Sequence, residues 1–189
     1  MKKKEMNKNY LKSIKRQFHY YKKLGDDTFI QLTNEDIHWQ FNEESNSISI
    51  IVKHIVGNQL SRWTNFKTQD GEKEWRNRDT EFEGEHTSKT AMIAAWEKGW
   101  NCLFEAINSI NEDELLELAY IRNEGHTYIE AINRQLSHYS YHVGQIVFAA
   151  KMIKSSHWNT LSIAKNKSAL FNNQKFSEDK STKHFTEDS

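Results

Sequence analysis

The chain has 189 residues, enough for one domain with a sizeable core. Its 26 Lys and Arg balance 26 Asp and Glu, so no basic surplus argues for specific nucleic-acid binding. No run approaches the roughly 18 apolar residues of a membrane span, and the basic start MKKKEMNKNYL is not followed by an apolar signal segment.

Cys102 is the only cysteine, so an intramolecular disulfide is impossible and a reducing cytoplasm is the simplest location. It falls in the pattern Trp96, Trp100, Leu103, Phe104, Ile107, which favours an inert core thiol over a nucleophile. Proline is absent and glycine is scarce at seven. Long helices tolerate that composition; turn-rich β architectures do not.

The spacing of apolar residues predicts a first helix over about 7–32, with Leu11, Ile14, Phe18, Tyr21, Thr28 and Leu32 inward. Gly25 is expected to weaken or bend it. The polar link TNEDIHWQFNEESN follows, with Trp39 and Phe41 as expected anchors. Ser47 is a credible cap for a second helix running to about Phe66. A charged stretch, 68–86, leads to a third helix from about Ser88 to Ile110, with Trp96, Trp100, Leu103 and Ile107 facing in. Asn111 and Glu114 fit a capping box for a short turn of helix before Leu118. A fourth helix covers about 127–154. The fold class is all-α: residues 1–154 form one helical bundle, and 155–189 a tail that packs partly and is disordered from about Asn172. The long links are compatible with loops walling one end of a site.

Within this frame three histidines stand out. His138 and His142 are i,i+4, one turn apart on a helix face. His54 lies one turn before Asn58 and two before Arg62, on one face of helix two. Ile51 and Ile55 flank His54; Val143 and Ile146 follow His142. Buried imidazoles need partners, and one shared metal satisfies three at once. Separate core histidines, each bonded to a backbone carbonyl, would give the same pattern.

The segments HIVGNQLSRW (His54 to Trp63), DGEKEWRNRDTEF (Asp70 to Phe82) and HYSYHVGQI (His138 to Ile146) carry a resemblance. Together they resemble the DinB-like superfamily of metal-dependent four-helix proteins, and more narrowly a bacillus-type branch of unassigned function related to bacillithiol- and mycothiol-transferase-like proteins. That family has one metal-binding histidine on helix two and an HxxxH pair on helix four, roles that fall on His54, His138 and His142. The resemblance implies an up-down-down-up four-helix bundle with long connecting segments, a divalent ion and frequent homodimers. Some relatives transfer low-molecular-weight thiols and others are glutathione-using isomerases, so the scaffold is implied more firmly than the reaction.

The chemistry itself allows several outcomes. Neutral imidazoles suit zinc, nickel, cobalt or iron; zinc or nickel leads, with zinc first on availability. Three protein ligands leave a position for water or substrate. A metal there either keeps a thiol as thiolate, for transfer to a small electrophile, or generates hydroxide for hydrolysis. A noncatalytic metal- or ligand-binding protein is the third reading. Asn58 is a candidate orienting group for a ligand or water. Arg62 either holds a substrate carboxylate or pairs with the acidic loop, where Asp70 and Glu72 are candidates for the bundle mouth and Arg76, Arg78 and Asp79 for a structural network. Gln145, one turn beyond His142, serves either that histidine or helix packing. Of Tyr139 and Tyr141, at most one approaches the cavity. No phosphate loop, nucleotide fingerprint or serine-histidine-acid arrangement is present. The expected partners are a small molecule and a second copy of the chain.

Overall fold

The computed structural model describes residues 2–188. Among them, five α-helices and one two-stranded antiparallel sheet make a mostly helical, multi-helix bundle. The core is carried by α1 (Lys2–Ile30), α2 (Ile48–Trp63), α3 (Lys89–Asn108) and α4 (Tyr128–Lys154). A hairpin of β1 (Leu118–Ile121) and β2 (Glu124–Thr127) precedes α4, and α5 (Ser168–Phe176) follows it.

α1 starts earlier than its apolar spacing indicates. The Lys-rich first turns contain good helix formers, and two contacts tie them down: Lys4 Nζ to Asp113 at 3.1 Å and Asn7 Nδ2 to the Glu112 carbonyl at 2.7 Å. Its buried stripe runs Leu11, Ile14, Phe18, Thr28, Phe29. Gly25 permits close packing: a Cβ there would run into the Trp96 ring. α2 begins at Ser47, whose hydroxyl accepts from Ile50 N at 3.2 Å, and it is buried on nearly all sides. It lies along α3 and also meets α4, while α1 lies along α4. Trp96, Trp100, Leu103 and Ile107 of α3 are fully buried. α4 opens with a capping box, Thr127 accepting from Glu130 N at 3.3 Å while Glu130 Oε2 accepts from Thr127 N at 2.8 Å.

Three expectations need correction. The first is the stretch before α4: residues 111–117 form turns and not a turn of helix, and a hairpin that no pattern announced follows them. Asn111 N does donate to Glu114 Oε2 at 2.8 Å, but the chain then extends, with Tyr120 paired to Gly125 and Ile121 to Glu124. Arg122 and Asn123 link the strands with φ of 58° and 62°, the left-handed pair of a two-residue turn that usually announces itself by Asn-Gly or Asp-Gly. The turn is stabilised from outside: Asp70 Oδ1 accepts from Arg122 N and Oδ2 from Asn123 N, both at 2.8 Å.

The second concerns the link after α1. Ile37 is its buried anchor, whereas Trp39 and Phe41 are 37% and 67% exposed and lean on each other. The third is the α2 end, which falls at Trp63 rather than Phe66, with Asn65 at φ 50° turning the chain away. Beyond α4, Gln31 joins the tail through Asn159 N at 2.8 Å, and the Phe185 ring meets Tyr20. Among the described residues no helix is long and apolar enough to cross a membrane.

Candidate metal centre

α2 and α4 face each other over part of their length, and this brings the three histidines together. His54 Nε2 lies 3.3 Å from His138 Nε2, and His142 Nε2 lies 3.0 Å from the same atom. The three potential ligand atoms all lie within 4.8 Å of one another. His54 is buried; His138 and His142 are half-buried. The cluster is able to coordinate a metal ion.

Two neighbours set the ring states. His54 Nδ1 is 2.8 Å from Glu81 Oε2. A carboxylate only accepts, so Nδ1 carries the proton and the Nε2 lone pair faces the other rings. His142 Nδ1 is 2.7 Å from the Gln145 side-chain oxygen, which in the same way turns its Nε2 lone pair inward. His138 Nε2 can carry at most one proton, and it faces two acceptors. Three imidazole nitrogens converging this way favour a shared cation, and a set of three neutral imidazoles fits a borderline divalent ion.

The electrostatics act in the same direction. Burial, then His142 and His54, then Arg62 and Arg76, push the pKa of His138 down to about 3. Burial, with His54, lowers that of His142 against the opposing bond to Gln145. Both rings stay neutral, as metal ligands must. Burial would raise the Glu81 carboxyl, but the hydrogen bonds from His54 and Arg76 outweigh it and hold the group below its usual range. Arg76 Nε donates to Glu81 Oε1 at 2.8 Å and Nη2 to Oε2 at 3.1 Å. Glu81 is therefore an ionised carboxylate fixed between a guanidinium and the histidine it orients.

Asn58 is buried within the site wall. Its Oδ1 accepts from Tyr139 OH at 3.0 Å, and that hydroxyl accepts from Trp63 Nε1 at 3.1 Å. Tyr139 is fully buried; Tyr141 is 62% exposed. Arg62 is also buried and donates from both Nη atoms to Glu72 Oε2 at 3.2 Å, with Nη1 also donating to the Gly71 carbonyl. Burial, then Arg76, lowers its pKa, opposed by Glu72. Glu72 pairs in addition with Arg122 at 3.1 Å, and Asp70 holds the hairpin turn. The two acidic residues of the DGE segment are thus fastening groups for the loop and not free bases.

A cavity of ≈ 260 Å³ opens on His54 and His138 and is lined further by Asn58, Gln135 and five arginines, Arg62, Arg76, Arg78, Arg122 and Arg134. Reasoning on the sequence missed Glu81, Gln135, Arg122 and Arg134 as parts of this region. Gln135 had a legible signal, since it lies three residues before His138 on the same helix face. Glu81 had none, because its partner is 27 residues away across a loop. Cys102 lies away from the cluster, its Sγ 3.6 Å from Thr64 Oγ1, and burial pushes the thiol up.

Residues 5–167 match the model of a family described as Protein of unknown function (DUF1572). No curated protein and no solved structure matches the chain.

Proposed function

The chain belongs to the DUF1572 family of the DinB-like superfamily, and from that membership we propose that it is a divalent-metal-dependent S-transferase joining a low-molecular-weight thiol to a small electrophile. His54, His138 and His142 hold the ion in this reading. The observation that carries it is the convergence of their three Nε2 atoms beside a cavity, with His54 already turned by Glu81. A divalent ion held by three protein ligands supplies a Lewis acid at which a thiol stays ionised near neutral pH. Zinc is the first choice and nickel the second.

The chain's own residues do the remaining work. Glu81 keeps the His54 proton on Nδ1, and Gln145 does so for His142. Asn58 is a candidate orienting group at the cavity wall, fixed by Tyr139. Arg62 is placed to meet an anionic part of a ligand while Glu72 steadies it. Gln145 also lines a second, apolar groove of ≈ 540 Å³ with Ile51, Phe148 and Met152, which supports an apolar electrophile approaching from that side. The lining of the smaller cavity contains no carboxylate. Hydrolysis needs a group to take a proton from water at the moment of attack. Thiol transfer asks less of the protein, because the thiol is ionised before it reacts.

The finer family resemblance has support in the helix pairings. Phe18 meets Tyr139 and Tyr10 meets Asn133, so α1 and α4 run the same way. His19 stacks on Phe104 and Lys22 pairs with Glu97, so α1 and α3 run oppositely. These contacts set α1, α3 and α4 in the directions that the up-down-down-up order requires; the same reading takes 1–154 as the bundle and 155–189 as an appended segment.

The test is turnover by metal-loaded protein against thiol–electrophile pairs, bacillithiol among them, run beside hydrolysis substrates, with the ion identified by elemental analysis. Product that requires thiol, and is lost in a folded His142→Ala variant, is expected. Hydrolysis without thiol replaces the transferase with a hydrolase. Bound metal with no turnover in either panel leaves a noncatalytic metal-binding protein.

A further inference from the structure

We propose that the arginine-lined cavity beside His54 and His138 is a recognition site for a small molecule carrying at least two anionic groups, carboxylates or phosphates. Five guanidiniums line it, from Arg62, Arg76, Arg78, Arg122 and Arg134, and no carboxylate does. Two carboxylates serve these arginines from behind. Glu72 pairs with Arg62 and Arg122 and lies 3.7 Å from Arg76, and Glu81 pairs with Arg76 while also accepting from His54 Nδ1. A network built only for stability needs partners for the cations it buries, and Glu72 and Glu81 supply them for Arg62 and Arg76. Five cations nevertheless face two anions, a surplus that this pairing does not call for.

Arg78 and Arg134 make the surplus. Among the described residues no carboxylate lies within 4.0 Å of either. Each is positioned without being neutralised: the Arg78 guanidinium lies over the Phe82 ring at 5.1 Å, and Arg134 Nη1 is 3.2 Å from His126 Nε2. An independent observation comes from below the surface. Arg62 Nε and Arg76 Nη1 are buried without a hydrogen-bond partner, in two side chains that line this cavity. The Arg62 and Arg76 side chains are only 6% and 2% exposed, so their unmet donors carry a desolvation cost.

The planar guanidinium matches carboxylate and phosphate oxygens two at a time, and several on one wall select for more than one such group. At ≈ 260 Å³ the cavity lies below the roughly 300–1,000 Å³ of drug-sized sites, so the occupant is a small metabolite. The inference deepens the thiol-transfer reading, which it relies on only for the place of the reacting end. Anion recognition itself needs no metal.

Calorimetric titration of metal-free, full-length protein with succinate, pyrophosphate, inorganic phosphate and neutral succinamide tests it. One saturable site for succinate or pyrophosphate is expected, tighter than for phosphate, with none for succinamide. Preference for succinate assigns carboxylates, and preference for pyrophosphate assigns phosphates. Arg78→Ala and Arg134→Ala should each weaken binding roughly tenfold, about one charge-assisted hydrogen bond, and Arg→Lys at both positions should recover part of the loss. Both side chains are exposed, so the fold survives their removal. No saturable binding, or binding unchanged in the double alanine variant, overturns the proposal. Zinc binding in the same samples separates the two readings. Zinc held without anion binding removes this site alone, and anion binding by wild-type protein that takes no zinc removes the transferase alone.

Discussion

Glu81 sits between Arg76 and His54, and its two oxygens divide the work. Both oxygens take Arg76, and Oε2 also holds the proton on His54 Nδ1. Glu81→Gln removes the charge while keeping the shape, so His54 loses its fixed tautomer and some basicity. Metal affinity should fall by roughly 10–100-fold, read by competition with a chromogenic chelator. Unchanged affinity would mean that Glu81 serves Arg76 alone. His138→Ala removes the nitrogen that lies between the other two and should abolish tight binding in a protein that still folds. Gln59 offers a test unrelated to the metal. It is fully buried at the α2–α3 contact, and neither amide atom has a partner. Gln59→Met keeps the volume and removes two unmet polar atoms, so it should stabilise the fold by about 1 kcal/mol, seen as a raised melting temperature. The His138–His142 spacing was legible in the sequence because a helix turns a separation of four into neighbourhood. The Glu81–His54 pair was not, because no local period links a loop residue to a helix 27 positions before it.

Between elements, Asp70 is the joint. One carboxylate caps the hairpin turn through Arg122 N and Asn123 N and its own loop through Glu72 N at 2.7 Å. Burial works against its ionised form, but those backbone hydrogen bonds prevail and keep the group below the usual carboxylate range. Asp70→Ala leaves a left-handed Arg-Asn turn without its acceptors. A loss of about 1–3 kcal/mol is expected from urea unfolding, with faster amide exchange at Arg122 and Asn123. Exchange confined to its original rate would show the turn to be self-sufficient. The helices themselves were readable from apolar spacing and from the Ser47 cap, which accepts a backbone N–H in the structure; Ser88 and Thr127, read only as approximate starts, cap α3 and α4 in the same way. The hairpin was not readable. Its turn lacks Asn-Gly or Asp-Gly, and its stabilising acceptor lies 52 residues earlier than Arg122.

For the whole molecule, acid should be more harmful than the neutral net charge suggests. His138 has a folded value of about 3 against an ordinary 6.5, and His142 is lowered too. The unfolded chain therefore binds protons that the folded state refuses. That stability is complete above about pH 6.5 and declines as pH falls toward about 3. Glu81 and Asp70, both held low, add a loss of the same sign below the usual carboxylate range. The melting temperature of metal-free protein should thus fall between about pH 7.5 and about pH 5; a flat profile would argue against buried neutral imidazoles. The assembly expected from the resemblance is a homodimer, and sedimentation equilibrium over a concentration series tests it. Monomer mass throughout removes the dimer without touching the metal centre.

The sequence by itself determined the helical class and the histidine-bearing faces of α2 and α4, because periods of three and four residues are local and survive without a fold. It did not determine what surrounds them. That Arg62 shares one carboxylate with Arg76 and Arg122, that Glu81 turns His54, and that five arginines meet around one small cavity were decided only when α2, α4, the hairpin and the charged loop packed together. Those contacts join residues with no sequence period between them, and a charge along the chain shows its sign but not what it will face.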